Sequence, residues 1–307
     1  REFFFYMFWY YPLYFVLCLI SLLPFTILYL ISDLICFLLR NVFHYREKVI
    51  DENLSLSFPV WSAEKRKEVR DAYYRNLADN IVETIKLISV SKQTLSKRIT
   101  CNWDLFDSLG ASDRNGIGYL SHQFNWEWGT VVSNWYLPKR FTGVYLPLTN
   151  PVFDRLFYKI RSRSGTQLIK VQEMQLKSSQ VQKEKIIWGF IADQNPSDPK
   201  RVSWNDFMHR KTAFSKGPEL IARRYDNVVY FAEIVRLKRG YYRINAKLAF
   251  EYPRETREGE ITEAYVRFLE DSIKRQPENW VWSHRRWKHL YRPVSSIEES
   301  NFTDQIN

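Results

Sequence analysis

Cysteine is scarce in this chain. Cys18, Cys36 and Cys101 are the whole supply, and their spacing fits neither a disulfide framework nor a metal-ligand set. Two of the three lie in an apolar stretch, which suits a reducing compartment. There is no internal repeat, so a solenoid is excluded, and no low-complexity run. No RNA- or DNA-binding motif accompanies the formal net charge of +11, so the positive surplus by itself does not make a nucleic-acid partner. The other partners that such a surplus suits are an anionic lipid surface or an acidic soluble molecule. Charge of either sign is missing from residues 3–32, "FFFYMFWYYPLYFVLCLISLLPFTILYLIS". Also missing there are the short apolar core and small-residue cleavage site of a signal peptide.

What that stretch does have is length and aromatic rings. About 20 apolar residues cross a bilayer core, and Tyr and Trp crowd the first third as in an interfacial belt. Pro12 and Pro24 argue against one straight rod. A spanning helix over roughly 11–31 after an interfacial stretch fits, and so does a broken or re-entrant helix. Arg40, Arg46 and Lys48 follow, then "EKRKEVR" at 64–70. Positive flanks stay on the cytoplasmic side, which predicts a membrane-tethered domain facing anionic lipid inside the cell. The basic residues of 64–70 read as a solvated, membrane-facing helix side. The chain opens on Arg1, so its natural start is expected to be missing or altered.

The remainder divides into a helical lead-in and a strand-rich unit. Ser62 caps a helical pattern over 62–90, and a short helix follows near 91–98. Strands are predicted at 116–120, 141–148, 167–171, 185–193, 227–237 and 241–250, the last two as an antiparallel hairpin around a Lys-Arg-Gly turn. Helices are predicted at 126–135, 151–161, 172–181, 216–224 and 261–275. This alternation predicts an α/β fold, with a mixed central sheet flanked by helices behind a membrane-anchoring helix. The expected division is an anchor at 1–40, a domain at 41–295 (lead-in 41–100, α/β unit 101–295) and a polar tail at 296–307.

The chemistry concentrates in "SHQFNWEWG", residues 121–129. His122 and Glu127 are five apart, a spacing that puts two helical residues about 140° apart, on different faces. The spacing works if His122 precedes the helix at a strand end, Asn125 caps it and Glu127 lies in its first turn. Glu127 would then fold back onto one ring nitrogen, fix the tautomer and leave the other nitrogen to take a proton from a hydroxyl. No Ser or Cys nucleophile is required.

These residues resemble the bacterial lipid A late acyltransferases, the lauroyl and myristoyl transferases of the lysophospholipid acyltransferase superfamily. The resemblance runs over nearly the whole chain through "NLSLSFP" (53–59), "HQFNWEWG" (122–129), "YLPLTNPVFDRLFYKIRSRSG" (145–165), "ADQ" (192–194) and "PENWVWSHRRWK" (277–288). It implies a glycerol-phosphate acyltransferase-like fold at the inner membrane with its catalytic domain on the cytoplasmic side. Acyl carrier protein would be the donor and a lipid A precursor the acceptor, with no metal or organic cofactor. It makes His122 the base and Glu127 its partner. Arg161 would hold acidic head groups or the developing oxyanion, and Asp193 and Gln194 would line the same cleft. Two departures bear on the acceptor and the acyl chain. Leu146 stands where the family has Arg, and His209 stands where Gly is common. Other lipid acceptors, or a non-catalytic binder of anionic lipid, are the rival readings.

Some candidates stay open on residues alone. Arg163, with Arg161, either binds phosphate or lies in a solvated loop. Arg285, Arg286 and Lys288 among Trp282 and Trp287 either dock phosphate-bearing head groups or form a packed cap with cation–π contacts. His284 reads as structural, and Asp79 and Glu83, four apart on one helix face, read as a solvated pair.

Overall fold

The computed structural model describes residues 2–196, 202–288 and 291; the tail expected at 296–307 lies outside the described residues. The chain begins with α1 (Glu2–Leu22), which carries Pro12 inside it, and α2 (Phe25–Phe37), which runs on as a π-helical turn to Val42. The break between the two falls at Leu23 and Pro24. Of the two forms that the sequence allows, this is the broken helix and not one rod over 11–31. Pro24 has no N–H to continue a helix, and the carbonyls around the break are captured by the domain. Lys86 Nζ donates to Ser21 O (2.7 Å) and Leu23 O (2.8 Å), and Ser89 Oγ donates to Ser21 O at 2.6 Å. Among the described residues one helix, Phe25–Val42, is long and apolar enough to cross a membrane, and only 11% of it is buried.

Then come α3 (Glu47–Ser57), α4 (Ala63–Lys86), α5 (Lys92–Ser96), β1 (Ile99–Cys101) and α6 (Asp107–Ala111). Ser62 caps α4 by accepting from Lys65 N, as its position predicts. The α/β unit continues through β2 (Gly116–Leu120), α7 (Trp126–Tyr136), β3 (Arg140–Tyr145), α8 (Pro151–Ser162), β4 (Gln167–Lys170), α9 (Met174–Val181) and β5 (Ile186–Ile191). It ends with β6 (Val202–Phe207), β7 (Arg210–Ser215), α10 (Gly217–Tyr225), β8 (Val228–Lys238), β9 (Tyr241–Phe250) and α11 (Glu260–Arg275).

Seven strands form one mixed sheet in the order β1-β9-β8-β2-β5-β3-β4, parallel throughout except for the β8–β9 hairpin. Residues alternate between its faces. Ile117, Tyr119, Trp188, Phe190, Val229 and Phe231 join a core with Tyr265 and Leu269 of α11 and Tyr73 of α4. Ile187, Val228 and Tyr230 instead pack with Phe106, Leu109 and Phe141. The short β6–β7 hairpin stands apart from the sheet and escapes the strand pattern. Its turn explains one departure: Met208 and His209 both have positive φ (50° and 64°), a conformation in which glycine is the less strained choice.

Candidate active site

The sheet register brings the site together. β2 and β5 are parallel neighbours, and Leu120 pairs with Ile191 at their carboxyl ends. Two residues further along each strand stand His122 and Asp193. Open α/β sheets bind ligands at this end of their strands. The His122 backbone N–H donates to Asp193 Oδ2 at 2.8 Å, and ring Nδ1 lies 2.6 Å from Oδ1. Trp280 Nε1 donates to Oδ2 at 2.7 Å. Asp193 is fully buried. Burial alone would raise its pKa, but the charge of His122 and the hydrogen bonds from His122 and Trp280 hold it below the ordinary value. An ionised carboxylate only accepts, so Nδ1 carries a proton, and whenever the ring is neutral the lone pair is on Nε2. Among the described residues Nε2 makes no hydrogen bond, and the side chain is 18% exposed.

The helix that follows starts as the sequence predicts. Asn125 caps α7, its Oδ1 accepting from Trp128 N at 3.1 Å, and Glu127 lies in the first turn. The contact expected between Glu127 and His122 does not form. Glu127 faces Arg161 of α8, which donates from Nε to Oε2 (2.9 Å) and from Nη2 to Oε1 (2.6 Å). Trp126 Nε1 adds a third donor to Oε1 at 3.1 Å, and its ring packs edge-on against His122 with centroids 5.2 Å apart. The reason is geometric. The first turn of α7 carries Glu127 toward α8, while the parallel register delivers Asp193 to the ring nitrogen. The bidentate pair leaves Arg161 Nη1 without a hydrogen bond among the described residues.

The other candidates divide. Gln194 follows Asp193 and is half-buried. Arg163 is exposed in the turn after α8, but its guanidinium is engaged: it donates from Nη1 to Leu87 O and from Nη2 to Val90 O (2.8 Å), bracing the chain after α4. Arg286 is 1% exposed, donating to Asn195 Oδ1 (3.2 Å) and Ala213 O (2.7 Å) and lying over the Phe214 ring. Burial pushes its guanidinium down to about 10. It is a packed cap and is closed to head groups, whereas Arg285 is exposed. His284 is pushed down to about 4 by burial, and its Nδ1 is buried without a partner. Asp79 and Glu83, expected in solvent, are fully buried. Asp79 binds Arg236 (2.5 Å) and Arg239 (2.7 Å). Leu146 is 60% exposed.

Motifs far apart in sequence meet around this centre. Asn53 donates to Trp282 O (2.7 Å) and His284 O (2.9 Å), and Gln123 forms an antiparallel bridge with Trp280. The "NLSLSFP" and "PENWVWSHRRWK" segments therefore clamp the turn after β2. A model of the bacterial lipid A biosynthesis acyltransferases matches residues 4–289. The chain belongs to this family. It is similar to the lipid A biosynthesis lauroyltransferase of Escherichia coli (strain K12), 22% identical over 278 residues that cover 89% of each chain. Membership makes it an acyltransferase of lipid A synthesis, which uses an acyl donor and a lipid acceptor. Sequence reasoning within this family placed Asp193 in the cleft but not on His122, and missed Trp280. The signal for Asp193 was its place just past a buried strand, as for His122; that the two strands are neighbours is a fact of sheet order.

Proposed function

We propose that the chain transfers a fatty acyl group from an acyl carrier protein thioester to a hydroxyl of a lipid A precursor, at the cytoplasmic face of the inner membrane. His122 Nε2 takes the proton of the acceptor hydroxyl while Asp193 holds the ring and stabilises the imidazolium. The alkoxide oxygen forms a bond to the thioester carbon. Arg161, held rigid by Glu127, offers Nη1 to the developing oxyanion. The C–S bond then breaks, and the imidazolium returns its proton to the leaving thiolate. The hydroxyl is that of a 3-hydroxyacyl chain already on the precursor. Two features support a reaction beside a bilayer: the exposed apolar helix Phe25–Val42, and Phe8, Phe15 and Leu22 exposed on α1. The net charge of +11 favours an acidic carrier protein.

The observation that carries the reading is the His122–Asp193 pair at adjacent strand ends with Nε2 unengaged. An exposed Leu146 at the position of a family Arg favours one variant, an acceptor with fewer anionic groups. The test is turnover of purified protein with a lauroyl thioester of acyl carrier protein and a panel of lipid acceptors. His122→Ala is expected to lose about 10²–10⁴-fold in kcat, with binding to lipid vesicles kept. Undiminished turnover in that variant removes the mechanism and leaves a lipid-binding role.

A further inference from the structure

We propose that Glu83 is a positioning residue for this reaction, coupling the seat of the amino-terminal helices to the turn that carries His122. The inference rests on the proposed role of His122. Glu83 lies in the last turn of α4 and is fully buried. Its Oε1 accepts from the Tyr29 hydroxyl of α2 at 2.9 Å. Its Oε2 accepts from Asn125 Nδ2 at 2.9 Å and from the Tyr242 hydroxyl of β9 at 2.7 Å. Its backbone carbonyl accepts from Trp128 Nε1 at 2.9 Å. One residue thus joins α2, the sheet and both ends of the α7 cap, and Asn125 lies between His122 and Glu127.

The arrangement needs a carboxylate. Three side-chain donors converge on two oxygens, which an ionised carboxylate satisfies and an amide does not. No ion pair reaches Glu83 among the described residues; the nearby cations Arg236 and Arg239 are held by Asp79, one helical turn away. Burial without a paired cation pushes Glu83 up to about 6, although the Tyr242 and Asn125 bonds act in the opposite sense. A group kept only for stability would more readily be neutral at such a place.

Asp79 supplies the internal control. It too is a buried α4 carboxylate that receives a hydroxyl from α2, Ser32 Oγ at 2.6 Å, yet none of its bonds reaches the 121–127 turn. Tyr29→Phe and Ser32→Ala therefore each remove one α2 hydroxyl from a buried carboxylate, and only the first carboxylate touches Asn125.

The experiment measures kcat and KM in phospholipid vesicles, with a lauroyl thioester of acyl carrier protein and a lipid A precursor bearing a free 3-hydroxyacyl chain. Full-length wild type, Tyr29→Phe, Ser32→Ala, Glu83→Gln, the Tyr29→Phe/Glu83→Gln double variant and His122→Ala are compared, with melting temperatures recorded alongside. Tyr29→Phe is expected to lower kcat about 3- to 10-fold with KM unchanged, and Glu83→Gln to lower it further. The double variant should match Glu83→Gln alone, because both act through one carboxylate. Ser32→Ala should lower the melting temperature while keeping kcat. The coupling is overturned if Tyr29→Phe and Ser32→Ala shift only the melting temperature, or if the Tyr29 and Glu83 effects multiply. Active His122→Ala overturns the reading beneath it; inactive His122→Ala with unaltered kcat in Tyr29→Phe overturns the coupling alone.

Discussion

Asp193 meets His122 twice, once at the backbone N–H and once at Nδ1. The first bond fixes where the turn begins, and the second fixes which ring nitrogen is basic. Asp193→Asn keeps the shape but removes the charge that stabilises an imidazolium. It is expected to lower kcat by about 10²–10⁴-fold, as loss of the tautomer-fixing carboxylate does in hydrolytic triads. Glu127→Gln loosens Arg161 but leaves His122 and its carboxylate in place, so it should cost less in kcat. A larger loss of kcat in Glu127→Gln than in Asp193→Asn would restore Glu127 as the partner of His122.

At the scale of elements, the tip of the β8–β9 hairpin is the socket for α2. Gly240 has φ +73°, and a Cβ there would lie 2.0 Å from Tyr29 Oη and 2.8 Å from Arg98 Nη1. Beside it, Arg239 donates to Asp33 (2.6 Å) and to Tyr29 O (3.2 Å) of the same helix. Gly240→Ala combines left-handed strain of about 1–2 kcal/mol with a contact that only movement of Tyr29 relieves. Lower thermal stability in detergent and faster proteolysis at the 22–24 break are the expected outcomes, and a variant as resistant as wild type would show that the socket is dispensable. This hairpin was legible in the sequence, because two β-rich runs flank a short Lys-Arg-Gly turn. The strand at 116–120, the Asn125 cap and the helix at 151–162 were legible for similar local reasons: period, cap and breaker residues close together. The short β1 was not, for three residues carry no period. Nor was the choice of Asp193 over Glu127, since strand order is decided by packing across the whole sheet. Asp79 and Glu83 were misread as solvated because a helix pattern shows which face they share but not what covers that face.

Across the whole molecule, one buried and one half-buried group near the centre, Glu83 and His284, give stability opposite pH slopes. Glu83 has a folded pKa of about 6, above its ordinary 4.5, so its contribution is complete below about 4.5 and is lost as pH rises through 6. His284 has a folded value of about 4, below its ordinary 6.5, so its contribution is complete above 6.5 and is lost as pH falls through 4. Going from pH 7 to pH 5, Glu83 adds about 1 kcal/mol by this linkage while His284 subtracts from it. Asp193, held below its ordinary 3.8, hardly changes until lower pH. The two variants should therefore diverge. Relative to wild type, His284→Asn removes the acid loss, so its stability should rise more, or fall less, on going from pH 7 to pH 5. Glu83→Gln removes the acid gain, so its stability should fall more over the same interval. Denaturant or thermal unfolding in one detergent at pH 5, 6 and 7 measures both slopes. Parallel slopes for the two variants would mean that neither group carries the shift that its burial implies.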